Sequence, residues 1–232
     1  MKTLVLITAR GGSKGLPGKN AKPLMGQPLI LFSLQIARLI ATDENICVST
    51  DSNEIIAVVE SEGLNVPFVR PAILATDTAS SRDVIIHAIE FYRSKGIEYD
   101  IVLLLQPTSP FRKLEDVQNM LMLFNSNLDM VVSVKESEKN PYYSLFEENK
   151  NGFLKLSKQA NFNRRQDCPK VYEYNGSTYV INVKSILQQE IGEFDKVIKY
   201  VMDEICSVDI DTPLDWLWAE TIIDKKLWEN GK

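Results

Sequence analysis

The feature that most constrains this chain is a rhythm. Through its first 135 residues, short apolar runs alternate with amphipathic stretches. Residues 4–9 form a near-continuous apolar run closed by Arg10 and glycines, the pattern of a strand covered on both faces. Pro28 opens a predicted helix over 28–41 whose Leu29, Phe32, Ile36 and Leu39 are spaced for one buried stripe. A strand is expected at 46–50, a helix at 53–62 ending at Gly63, and a third strand at 66–69. Ser80 and Asp83 resemble a capping box for a helix reaching Lys95. Strand 101–105, helix 114–124 and strand 130–134 follow. Repeated βα units of this length imply an α/β fold with a single doubly wound, mostly parallel sheet.

Between Lys135 and Tyr174 the rhythm breaks. An Asn151-Gly152 pair between the segments 143–147 and 153–156 reads as a hairpin, an excursion from the sheet over 136–175 that is suited to an oligomer contact. The core resumes with strands at 177–183 and 197–202 and closes with a helix over 214–226. The 232 residues read as one domain.

Scarce residues narrow the chemistry. His87 is the sole histidine, so multi-histidine metal centres are excluded, and its place beside Val84, Ala88 and Phe91 reads as a packed structural residue. Cys47, Cys168 and Cys206 are odd in number and widely spaced, as in a reducing compartment. The apolar N-terminal run is short and lacks a small-residue cleavage site, and no long apolar span follows; the expectation is a cytoplasmic protein without a membrane partner. A net charge of −5 argues against a nucleic-acid partner while leaving room for a local anion site.

In open α/β sheets the ligand lies beyond the carboxyl ends of the strands. The segment after the first strand holds Arg10, Ser13, Lys14, Lys19 and Asn20 among Gly11, Gly12, Gly15 and Gly18. Three cations and several unencumbered backbone N–H groups suit a triphosphate, although the spacing is neither a Walker loop nor a dinucleotide fingerprint. Arg70 precedes a run of small hydroxyl residues through Ala79 and Ser81, which reads as caps and turns and also suits the edge of a base. Gln106 stands at a strand end before a stiff loop with two prolines. Asp209 and Asp211 share one face of an extended segment about 7 Å apart, a spacing that favours a cation such as magnesium between them; Asp211 and Thr212 also fit a helix cap before Pro213. Arg164 and Arg165 serve either as surface charges or as a carboxylate clamp.

Together these residues resemble the acylneuraminate cytidylyltransferases, the CMP-sialic acid synthetases. The resemblance rests on the segments at 9–20, 70–81, 104–112, 164–167, 172–179 and 207–211, in family order along nearly the whole chain. It implies a Rossmann-like nucleotidyltransferase that transfers CMP from CTP to the anomeric hydroxyl of a nonulosonic acid such as N-acetylneuraminate. Legionaminate, deaminated neuraminate and 3-deoxy-manno-octulosonate are the alternative acceptors. The resemblance assigns Arg10, Ser13, Lys14, Lys19, Asn20, Arg70, Ala79 and Ser81 to CTP, with Arg10, Lys19 and Asp211 catalytic. It assigns Gln106 and Arg165 to the sugar, Asp209 and Asp211 to magnesium, and the excursion to a homodimer contact. Around Asn140-Pro141-Tyr142-Tyr143 some relatives place a lysine near the sugar, where this chain has tyrosines. A nucleotide-sugar glycosyltransferase and a non-catalytic nucleotide sensor are the competing classes.

Overall fold

The computed structural model describes residues 1–159 and 161–228. Its strands are β1 (Thr3–Thr8), β2 (Pro23–Leu24), β3 (Gln27–Pro28), β4 (Ile46–Ser49), β5 (Ile101–Leu105), β6 (Met130–Glu136), β7 (Phe146–Glu148), β8 (Leu154–Leu156), β9 (Tyr172–Asn182) and β10 (Val197–Val201). Its α-helices are α1 (Leu29–Ile40), α2 (Asn53–Ser61), α3 (Ser81–Ser94), α4 (Leu114–Leu123), α5 (Val183–Gln188) and α6 (Pro213–Asp224).

Six strands form the central sheet in the order β10-β6-β9-β5-β1-β4. All neighbours run parallel except β9, which is antiparallel to both β5 and β6. Alternation along β1 splits the core between the two faces of the sheet. Val5 and Ile7 pack with α1, α2 and α4, whereas Leu4 and Leu6 pack with α3 and α5. The chain leaves β1 to build β4 on one side and then crosses to build β5 on the other. This reversal opens a crevice at the carboxyl ends of β1 and β5. A third apolar cluster seats α6, through Trp216, Ala219 and Ile222, against Leu29, Phe32 and Phe111, and it includes Ile210. That packing carries the segment holding both aspartates to the mouth of the crevice.

Two expectations need correction. The strand expected at 66–69 is reduced to one parallel bridge between Thr50 and Val69; Pro67 has no N–H to give a ladder. Leu39 was expected in the buried stripe of α1 but is 56% exposed. Ile40 packs against the core in its place, because a helix of 3.6 residues per turn brings 40, not 39, onto the face of 36 and 37.

The Asn-Gly hairpin forms as β7 and β8, outside the main sheet. Strand β9 begins earlier than the sequence pattern indicates, its Tyr172–Tyr174 end pairing with β6 beyond a bulge at Ser133. Within that bulge the Ser133 hydroxyl donates to Asn175 Oδ1 at 2.6 Å and accepts from the Thr178 N–H at 2.8 Å. The bend aims Gly176 at the crevice, where a side chain would press on the Asp209 carboxylate.

Candidate active site

A cavity of about 600 Å3 opens at the crevice, lined by the loop after β1, the segment before α3, the loop after β5 and the segment before α6. It brings together Arg10, Ser13, Lys14, Lys19, Asn20, Arg70, Ala79, Ser81, Gln106, Asp209 and Asp211. Arg165 is not among them. It stands on a short 3-10 turn (Arg165–Asp167) and lines a separate depression with Asn140 and Pro169, while Arg164 beside it is engaged by Asp167 at 2.8 Å.

The cationic loop and the acidic segment meet directly. Lys19 is 6% exposed, and its ammonium donates to the Ile210 carbonyl and to Asp211 Oδ1, each at 2.6 Å. Gly15 packs so closely on the Asp211 carbonyl that a Cβ there would collide with backbone. Lys22 lies over the Trp216 ring at 4.3 Å, fastening the loop to α6 as well. Asn20 donates to the Arg10 carbonyl at 3.0 Å, and its buried Oδ1 has no partner. An orphaned acceptor on the wall of a cavity is what a ligand donor or water would satisfy.

The acidic pair is held from both sides. Ile210 N–H donates to the Thr108 carbonyl at 2.8 Å, tying the acidic segment to the loop after β5. Thr212 caps α6 in a capping box with Asp215, so Asp211 marks both a helix start and the cavity wall. Asp209 reaches solvent through the cavity yet is densely surrounded by protein. That desolvation raises its pKa, with repulsion from Asp211 adding to it and the Thr108 side chain and Lys19 opposing. A divalent cation would relieve this carboxylate. Among the described residues no third His, Cys, Asp or Glu completes a protein-only metal cage. Two carboxylates with the rest of the shell left to phosphate and water is the donor set magnesium accepts.

Sequence reasoning placed Arg70 at the site but passed over Asp51 and Arg112 as residues that build it. Arg70, 5% exposed, donates to the Ser49 hydroxyl at 3.0 Å and to the Ser49 carbonyl. Burial lowers its pKa, and Asp51 opposes this. Asp51 also accepts the Gly11 N–H at 2.9 Å. Asp51 directly follows β4, a strand end that the same topological rule would have flagged. Arg112 is fully buried and gathers the loop after β5: it donates to Ser33 Oγ at 2.8 Å, to the Ser177 carbonyl at 2.9 Å and to the Gln106 carbonyl. Burial pushes its pKa down to about 9, against the opposing field of Asp209.

The profile of the family described as "Cytidylyltransferase" matches residues 4–226. The chain belongs to the cytidylyltransferase family. It is therefore a nucleotidyltransferase, an enzyme class that the joined cationic loop and acidic segment suit. Among curated relatives, it is 33% identical to the CMP-N,N'-diacetyllegionaminic acid synthase of Legionella pneumophila, across 97% of each chain. It is 34% identical to the N-acylneuraminate cytidylyltransferase of Escherichia coli, across 97% of this chain and 53% of that longer one. It is 30% identical to a pseudaminic acid cytidylyltransferase of Campylobacter jejuni, across 96% of each. In fold this cytidylyltransferase is similar to a solved CMP:2-keto-3-deoxy-manno-octonic acid synthetase complexed with CTP. The TM-score is 0.70 at 17% identity, over 97% of this chain and 100% of that one. No helix among its described residues is long and apolar enough to cross a membrane.

Proposed function

We propose that this cytidylyltransferase transfers CMP from CTP to the anomeric hydroxyl of a nonulosonic acid and releases pyrophosphate. The observation that carries the reading is the Lys19 ammonium, 2.6 Å from Asp211, joining a cationic loop to an acidic segment in one cavity. Relatives that act on legionaminic, neuraminic and pseudaminic acids support the acceptor class. So does a second cavity of about 330 Å3 that shares Ser81, Leu104 and Gln106 with the first and is lined by Tyr174, Tyr179 and Ile181. An amphipathic pocket of that size, beginning at Gln106, suits the body of a nine-carbon sugar acid.

In this reading Arg10, Ser13, Lys14, Lys19 and Asn20 hold the triphosphate, while Arg70, Ala79 and Ser81 line the base. The sugar hydroxyl attacks the α-phosphorus as the bond to the bridging oxygen breaks, and Arg10, Lys14 and Lys19 balance charge gathering on the leaving pyrophosphate. Gln106 and the paired tyrosines orient the acceptor, so alignment supplies much of the rate. Asp209 and Asp211 would hold magnesium. When bound, the ion would neutralise phosphate charge and acidify a nearby hydroxyl.

Arg165 is assigned to the acceptor's carboxylate across a homodimer. Exposed Tyr143, Phe146, Phe153 and Leu154 on the excursion support a contact with a second copy. Three free thiols support a reducing, cytoplasmic setting.

The test is a panel of sugar acids (N-acetylneuraminate, its deaminated form, legionaminate and 3-deoxy-manno-octulosonate) incubated with CTP and magnesium. Pyrophosphate release that requires CTP and one of these acids is expected. CTP binding with no pyrophosphate from any acid would make the chain a nucleotide sensor instead.

A further inference from the structure

The wall of the nucleotide cavity contains a carboxylate that opposes its ligand. Asp77, in the segment before α3, places Oδ1 at 2.8 Å from Arg10 Nη1 and Oδ2 at 2.9 Å from Lys14 Nζ. The same Arg10 nitrogen donates to the Thr76 carbonyl at 3.2 Å. One short segment thus engages two of the three cations of the phosphate-binding loop. A carboxylate facing a polyphosphate at that range repels it, so its presence in this wall calls for a role beyond binding.

Two roles are chemically open. Asp77 either holds Arg10 and Lys14 in place while phosphate binds alongside, or it occupies them as phosphate would and must give way. The geometry favours the second. Each carboxylate oxygen takes one cation, so the bridge occupies donors of Arg10 and Lys14, on the cavity wall, that a phosphate group would otherwise use. Lys14 is 81% exposed and Asp77 41%, so the contact is well screened and weak. A triphosphate with several charges outcompetes such a pair, whereas one phosphodiester charge does so poorly. Lys14, the partner with the largest influence, also holds the Asp77 carboxyl below the usual carboxylate range.

We propose that Asp77 is an exchangeable counter-anion for Arg10 and Lys14, displaced when the polyphosphate of CTP binds and restored as pyrophosphate leaves. It thereby disfavours retention of the pyrophosphate product. The inference rests on the triphosphate reading of the loop given above.

The experiment is calorimetric titration of the whole enzyme and Asp77→Asn with pyrophosphate, CTP and uncharged cytidine, at low and high salt. The variant should bind pyrophosphate and CTP roughly threefold to tenfold more tightly at low salt, with cytidine unchanged and the difference shrinking at high salt. Pyrophosphate should also become a stronger product inhibitor. Asp77→Glu, which keeps the charge, should track the parent and controls for disturbance of the loop. Unchanged or weaker pyrophosphate binding by Asp77→Asn would overturn the exchange and make Asp77 an organiser or a bystander. Failure of the parent enzyme to bind CTP or pyrophosphate, or indifference of that binding to Lys14→Ala, would instead overturn the triphosphate reading itself.

Discussion

His87 shows how single residues report on the site without belonging to it. Its ring meets Phe68 edge-on with centroids 4.7 Å apart, and burial, then the charge of Arg70, lowers its pKa from the usual 6.5. The folded imidazole therefore holds its proton less tightly than the unfolded one. Its contribution to stability is full above 6.5 and is lost as pH falls through the lowered folded value. Because it is the only histidine, its ring proton signals in an NMR titration are unambiguous. We predict a midpoint below 6.5; a midpoint at or above 6.5 would contradict its placement beside Arg70. The sequence made His87 legible as a packed residue because its helical neighbours are apolar. Asp51 and Asp77 were not legible in this way, since Asp51 accepts the Gly11 N–H from 40 positions away and Asp77 meets Arg10 and Lys14 of the distant loop after β1, and no local residue pattern marks such contacts.

At the scale of elements, the loop after β5 depends on Arg112. A buried guanidinium bound to two carbonyls and a hydroxyl joins β5, β9 and α1 at the edge of the cavity. Arg112→Met removes those bonds and leaves polar partners buried. We expect a loss of roughly 2–4 kcal/mol in urea unfolding, and stability equal to the parent would deny Arg112 this role. Elements were readable where burial is simple. Strand β5 matches its apolar run because both of its faces are covered. The direction of β9 was not readable, because antiparallel pairing with both neighbours is set by distant register and by the bulge at Ser133 rather than by its own residues. Pro67 illustrates the opposite failure: an apolar run counted for more than the missing N–H within it.

At the scale of the whole molecule, the strand-end rule located most of the site, since a crevice at the β1–β5 reversal gathers loops that are far apart in sequence. Arg165 lies outside that crevice, and its proposed role depends on a second copy. Arg165→Ala is predicted to raise the sugar-acid KM about tenfold or more while leaving the Kd for CTP unchanged. Mixing it with a Lys19→Ala variant should restore part of the activity, because a mixed dimer regains one complete site. An unchanged sugar KM would remove Arg165 from the reaction.

The most direct measurement is the affinity for CTP, with and without magnesium, of the parent enzyme and of Asp209→Ala. The account predicts that magnesium tightens CTP binding at least tenfold in the parent and that this gain disappears in the variant, whose metal-free binding persists through the lysines and Arg10. An Asp209→Ala enzyme that keeps the full magnesium gain would contradict it, because the aspartates and the cationic loop would then not serve the same nucleotide.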